Sequence, residues 1–203
     1  MLVKCDAGSV NLTVDNINFA NDSRMIEFAQ SAMNFFLPRW DKIPSLGLYM
    51  DQVVTVIEND LAPVLGFDNE AFITSSMINN YVKLGMVSKP DKKKYYREHI
   101  ACVLIITILK QSLAISDIRL GMDATLKTLN SEKAYNRFCD YVEYSIKTVA
   151  ESVISADDTT EIDFKFVIGD AMITMAACSF ATKIFTSKMV SIIREDEKDL
   201  EEK

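Results

Sequence analysis

The sequence predicts an all-α protein with a single small β-hairpin wing. Three observations point there. Apolar residues recur at spacings of three and four through several stretches bounded by proline or glycine, the mark of amphipathic helices. One stretch, residues 86–96, breaks that period with turn residues between short extended segments. The last third carries long apolar stripes with a spacing close to 3.5. The chain has 203 residues, 49% hydrophobic and 25% charged, enough for one large core or two smaller ones.

Residues 1–21 read as a polar N-terminal arm. Its weak alternation of Val10, Leu12, Val14 and Ile17 fits a short edge strand or a loose arm equally well. A helix is expected from Ser23, whose hydroxyl suits an N-cap, with Ile26, Ala29, Met33 and Phe36 inward and Pro38 as its stop. After a loop over 40–47, a second helix is expected over 48–61. It turns Leu48, Val53, Val56, Ile57 and Leu61 inward and is closed by Pro63 and Gly66. Thr74 and Ser75 then cap a helix of about ten residues, with Met77, Ile78, Tyr81 and Leu84 inward and Gly85 in the left-handed position beyond its end. Two helices on a short connection make a helix-turn-helix. Met86 and Val87 read as a strand, 88–92 as a turn, and Lys93 to Tyr96 as the returning strand, so the hairpin stands where a wing would. Residues 22–122 form the first domain in this reading and 123–203 a helical dimerisation or effector domain.

The second domain rests on two long helices. Over 131–155, Tyr135, Phe138, Val142, Ile146, Val149 and Val153 lie on one stripe. A turn at 156–160 leads to a helix over 162–193. Its stripe is Phe164, Ile168, Ala171, Met175, Cys178, Thr182, Phe185, Met189 and Ile192, with a second stripe at Ile173, Ala177, Phe180 and Ile184. A helix apolar on two faces must bury both. One face covers its own domain, and the other suits a second copy of the chain; a central helix in a monomeric bundle is the plainer alternative. Residues 194–203 are charged and are expected to fray.

Charge is unevenly placed. The chain carries −7, yet residues 74–99 hold six basic side chains against two acidic ones, a local +4 that leaves −11 elsewhere. A lysine-rich turn alone is usually a solvated tip. Behind a polar helix face it becomes a footprint for duplex DNA. In that footprint Asn79, Asn80 and Lys83 face the major groove, and Ser75 and Ser76 meet phosphate at the helix N-terminus. Lys92, Lys93, Lys94 and Arg97, with Tyr95 and Tyr96 beside them, hold the flanking backbone.

The run from Ile78 to Val87 followed by Pro90, then Lys94-Tyr95-Tyr96, a helix over 97–112, and Ile115-Ser116-Asp117-Ile118-Arg119, resembles the recognition helix, wing and following helices of MerR-type regulators, over about residues 72–122. That resemblance implies a winged helix and DNA binding. The chain departs from the pattern at Asn79, where members commonly carry arginine, and at Lys93 and Lys94, where they carry Tyr-Arg. Asparagine still pairs with adenine, and lysine still meets phosphate. Leu37-Pro38-Arg39-Trp40, the run from Leu48 to Val53 and the run from Met77 to Tyr81 are also similar to a family of bacterial proteins, mostly from Firmicutes, known as a domain of unknown function. That likeness implies no activity.

Enzyme motifs for nucleotides, zinc proteases or serine hydrolases do not occur, so the chain is not expected to be an enzyme. His99 reads as a surface or capping residue. The four cysteines are far apart, which suggests neither a disulfide framework nor a zinc site, and no cofactor or metal is expected. The apolar run over 100–109 is about half the roughly 20 residues a spanning helix needs, and 164–186 is interrupted by Lys165, Asp170 and Lys183. No signal peptide opens the chain, so a cytoplasmic location is expected, without membrane partners. Met172, Met175 and Met189 suit an adaptable cavity for a small-molecule effector, and core filling explains them equally well. The leading expectation is a transcriptional regulator that binds an inverted-repeat operator as a homodimer. The alternative is a protein-interaction module on the same scaffold without DNA binding, and a third reading is a ligand-sensing helical protein.

Overall fold

Helices form wherever the apolar period is sustained, and the chain's computed structural model describes residues 19, 21–68, 71–155, 161–165 and 168–201. Among them are seven α-helices: α1 (Ser23–Met33), α2 (Met50–Leu65), α3 (Ser75–Lys83), α4 (Arg97–Leu109), α5 (Ile115–Leu126), α6 (Ser131–Ile154) and α7 (Ala171–Glu201). The N-terminal arm, apart from Phe19 and Asn21, and the turn at 156–160 lie outside the described residues.

α6 is the hub. It packs along α1 and α7 and touches α4 and α5. Its expected stripe is the buried one: Tyr135, Phe138, Val142, Ile146 and Val149 are all at most 3% exposed. The Tyr135 hydroxyl donates to the Pro38 carbonyl at 2.8 Å, so the largest core ring has its polar atom satisfied. Phe28 of α1 meets Phe185 of α7 and Phe67 edge-to-face, at 5.2 and 5.3 Å between centroids. Buried residues from α1 through α7 form one continuous core.

The β-hairpin is a correction. Among the described residues there is no strand, only two isolated bridges, Asp91 with Lys94 and Leu48 with Tyr95. The all-α part of the expectation stands, and the wing does not. The reason lies in where the backbone groups go. Lys92 and Lys93 sit at φ 47° and 66°, the left-handed positions of a two-residue turn, and Lys94 N–H closes it on the Asp91 carbonyl at 2.8 Å. The ladder stops there. Pro90 has no N–H to extend it. The N–H groups of Met86 and Val87 turn back to the Tyr81 carbonyl, at 3.0 and 3.3 Å. Tyr95 N–H donates to the Leu48 carbonyl and the Tyr95 carbonyl accepts from Leu48 N–H, both at 2.8 Å.

Several helix boundaries also shift. Asp22, not Ser23, caps α1, accepting from the Arg24 and Met25 N–H groups. The buried face of α1 is Met25, Phe28, Ala29 and Ala32. The helix ends before Phe36, which is 63% exposed in an irregular segment whose neighbours Phe35 and Leu37 are buried. α2 runs through Pro63 to Leu65. Pro63 is exposed in the last turn, where the Asn59 carbonyl it leaves free can meet water. The connection to α3 spans 66–74 with a 3-10 turn at Gly66–Asp68, longer than a tight helix-turn-helix joint. α7 starts later than expected because Asp170, in the 3-10 turn Ile168–Asp170, is fixed by the Tyr141 hydroxyl and the Arg137 guanidinium. At its far end α7 stays helical to Glu201, and Arg24 of α1 holds Asp196 at 2.6 Å. The buried stripe of α7 is mainly the second one, with Ala177, Phe180 and Ile184 at 0%, while Ile168 is 85% exposed.

Candidate functional site

α3 forms where the sequence expects it. The Thr74 hydroxyl accepts from Met77 N–H at 3.2 Å, and Gly85 turns the chain at φ 70°. Ile78 and Tyr81 bury its inner face. Ser75, Ser76, Asn79, Asn80 and Lys83 are all exposed on the outer face. Spacings of one, four, five and eight from Ser75 put them on a single stripe. None of these side chains has a partner among the described residues.

The basic turn divides. Lys92 and Lys93 are exposed. Lys94 is half-buried, its stem against Gly47 and its ammonium 5.7 Å from the Tyr49 ring centre. Tyr95 is a core residue, 3% exposed. Tyr96 is partly exposed and precedes α4, and its N–H donates to His99 Nδ1 at 3.0 Å. His99 therefore caps, from a buried position, and its Nε2 has no partner among the described residues. The Arg97 guanidinium donates to the carbonyls of Ile43 (3.1 Å) and Asp41 (3.4 Å), which ties it to the loop before α2. Of the expected footprint, the α3 face, Lys92 and Lys93 stand free, while Tyr95 and Arg97 serve the fold.

Elsewhere in the helical core lies a feature the sequence reading did not locate. α4, α5, α6 and α7 enclose an open apolar groove of about 460 Å³. Ala101 and Cys102 of α4 and Ala134 and Phe138 of α6 line it, Gly121 and Met122 come from α5, and Met172, Ile173 and Ala176 from α7. Met172 and Met175 thus line a cavity, while Met189 packs against the core. The available signal was α5 itself, which buries only Ile118. Burial, then the nearby Glu98 charge, pushes the Cys102 thiol up to about 11. Burial also pushes the Cys139 thiol up to about 12, so both stay protonated at neutral pH. Among the described residues no three His, Cys, Asp or Glu side chains are grouped to hold a metal ion.

α5 connects the groove to α3. Arg119 donates to the Leu84 carbonyl at the end of α3 at 2.9 Å. Lys110, just after α4, places its ammonium 3.0 Å from the Met77 sulfur, and burial holds its pKa below the usual lysine range.

Fold and surface together define an all-α protein with a polar α3 face, two exposed lysines in the turn that follows it, and an apolar groove between α4, α5, α6 and α7. Residues 38–138 match the model of a family described as a domain of unknown function (DUF1836). The match runs from the Pro38 segment into α6 and leaves α7 outside it. No curated protein and no solved structure matches the chain.

α7 with its preceding turn is long and apolar enough, by length and composition, to cross a membrane, and 39% of its most apolar stretch is buried inside the structure. Its exposed residues explain that composition. Met172, Met175 and Ser179 are exposed at the groove, Thr182, Thr186 and Val190 are exposed beyond it, and none of the six is charged.

Proposed function

We propose that the protein is a cytoplasmic DNA-binding transcriptional regulator, acting as a homodimer on an inverted-repeat operator. The observation that carries this reading is the unpartnered polar stripe of α3, followed in the chain by a turn that presents Lys92 and Lys93. α3 enters the major groove, where Asn79 and Asn80 pair with base edges and Lys83 reaches guanine or phosphate. Lys92 and Lys93 meet the flanking backbone. Both turn lysines occupy left-handed backbone, which costs a non-glycine residue about 1–2 kcal/mol. Asparagine and glycine fit such a turn better, so the lysines suit function more than stability. Beyond the groove, the exposed and uncharged Thr182, Thr186 and Val190 of α7 support the dimer, because a helix face open to water usually carries charge.

The test is recovery and sequencing of sheared genomic duplex bound by the protein over a salt series. An inverted repeat should be enriched. Lys92→Glu with Lys93→Glu should weaken binding at least tenfold and flatten the log–log salt slope by about 2, roughly one unit per lost phosphate contact. Asn79→Ala with Asn80→Ala should relax sequence preference instead. Enrichment of no fragment even at low salt would refute the reading.

A specific observation favours the alternative, a protein-interaction module. Leu46 (79% exposed), Tyr49 (52%) and Tyr96 (38%) surround Gly47 and Lys94. An apolar and aromatic patch beside lysines suits an acidic protein segment, and Tyr49→Ser would abolish that contact while leaving DNA binding intact.

A further inference from the structure

We infer that the groove between α4, α5, α6 and α7 is a binding site for a small lipophilic organic cation, an amine or quaternary ammonium on an apolar body. The size fits: about 460 Å³ lies within the range of roughly 300–1,000 Å³ typical of small-molecule sites. The space follows from the residues. Ala101, Gly121, Ala134 and Ala176 stand where larger side chains would close it. Across it, a Cβ at Gly121 would sit 3.8 Å from the Met172 thioether, so the α5 and α7 walls meet through a flexible side chain that can yield to a ligand.

The charge of the lining selects the sign of the ligand. Its charged residues are Glu98 and Asp117, and no cation pairs with either among the described residues. Asp117 accepts only a hydrogen bond from the neighbouring Ser116 hydroxyl. The Glu98 charge is felt inside the groove, where it helps hold the Cys102 thiol protonated. Two unneutralised carboxylates at the edge of an apolar cavity attract a cation whose body displaces water from the walls, and they repel an anion of the same shape. This site does not depend on the DNA-binding reading, and its test contains no DNA.

Trp40 lines the groove and is the only tryptophan in the chain, so its fluorescence reports on this site. The full chain is titrated with decyltrimethylammonium, decanol and decanoate, one apolar tail with a positive, neutral and negative head, each below its micelle concentration. Decyltrimethylammonium should change Trp40 emission saturably and bind at least tenfold tighter than decanoate. Glu98→Gln with Asp117→Asn should bring that ratio below about threefold and leave decanol unchanged. Both positions are exposed, so this variant should keep the wild-type melting temperature. Ala176→Phe should block all three probes. Equal binding of decanoate and the cation would overturn the inference. So would no saturable change, the result expected if a second copy or the chain's own first 18 residues cover the groove. Cation binding that survives both sets of substitutions would place the site elsewhere and overturn it too.

Discussion

Single residues in this protein show how burial changes a side chain's worth. Asp60 on α2 is half-buried with no partner among the described residues, and burial pushes its carboxyl up to about 6. The folded form therefore holds a proton more tightly than the unfolded form, whose carboxyl titrates near 3.9. Its ionisation costs stability in full above about pH 6, and the cost fades as pH falls toward 4. Asp60→Asn should stabilise the protein by about 1–2 kcal/mol at pH 7.5, a two-unit shift discounted for solvent exposure, and by almost nothing at pH 4. Thermal melts at the two pH values check this. Gly47 is required by close approach: a Cβ there would lie 2.8 Å from the Lys94 Cβ, and the Leu48–Tyr95 bridge prevents retreat. Gly47→Ala should cost about 1–3 kcal/mol in denaturant unfolding, the usual range for overpacking. Lys92→Asn with Lys93→Gly should act in two directions, raising stability by about 1 kcal/mol and weakening DNA binding.

At the scale of elements, helices differ in how firmly they are held. α4 buries nine of its residues, whereas α5 buries only Ile118 and spans the side of an open groove. Amide hydrogen exchange should be fastest in α5 among the helices from α2 to α6, because few buried contacts must break to open it. Arg119→Ala should accelerate α5 further by releasing its tie to Leu84, with α6 unaffected. The segment before α2 is held differently. Glu143 on α6 is 6% exposed and accepts from both terminal guanidinium nitrogens of Arg39 and from Leu37 N–H. That bidentate pair, with Arg39 on the surface side, anchors residues 37–39 across the hub helix. Glu143→Ala should cost about 3 kcal/mol, since Leu37 N–H is left buried without an acceptor.

For the whole molecule, one core joins the two halves through α6, so loss of any large α6 side chain should lower a single cooperative transition. The α7 stripe has its own expected outcome. Thr182→Glu with Val190→Lys should leave the fold intact and shift sedimentation from dimer to monomer, because both residues are outside the core. If the wild-type chain sediments as a monomer, the stripe has another role.

Apolar period and caps alone determined most of the helical architecture. Thr74, Gly85 and the α6 stripe act locally, through backbone amides and a helical face, and needed no distant partner. The polar face of α3 was legible for the same reason. Tertiary structure decided what depends on groups far apart in the chain. Tyr95 pairs with Leu48, which ends the expected hairpin, and Arg97 is taken up by loop carbonyls. Glu143 is buried against an arginine 104 residues away. The α7 boundaries follow from Asp170 and Asp196 finding partners on α6 and α1. The groove is the clearest case: four helices enclose it, and an alanine or glycine in any one of them reads as ordinary packing until the others are placed around it.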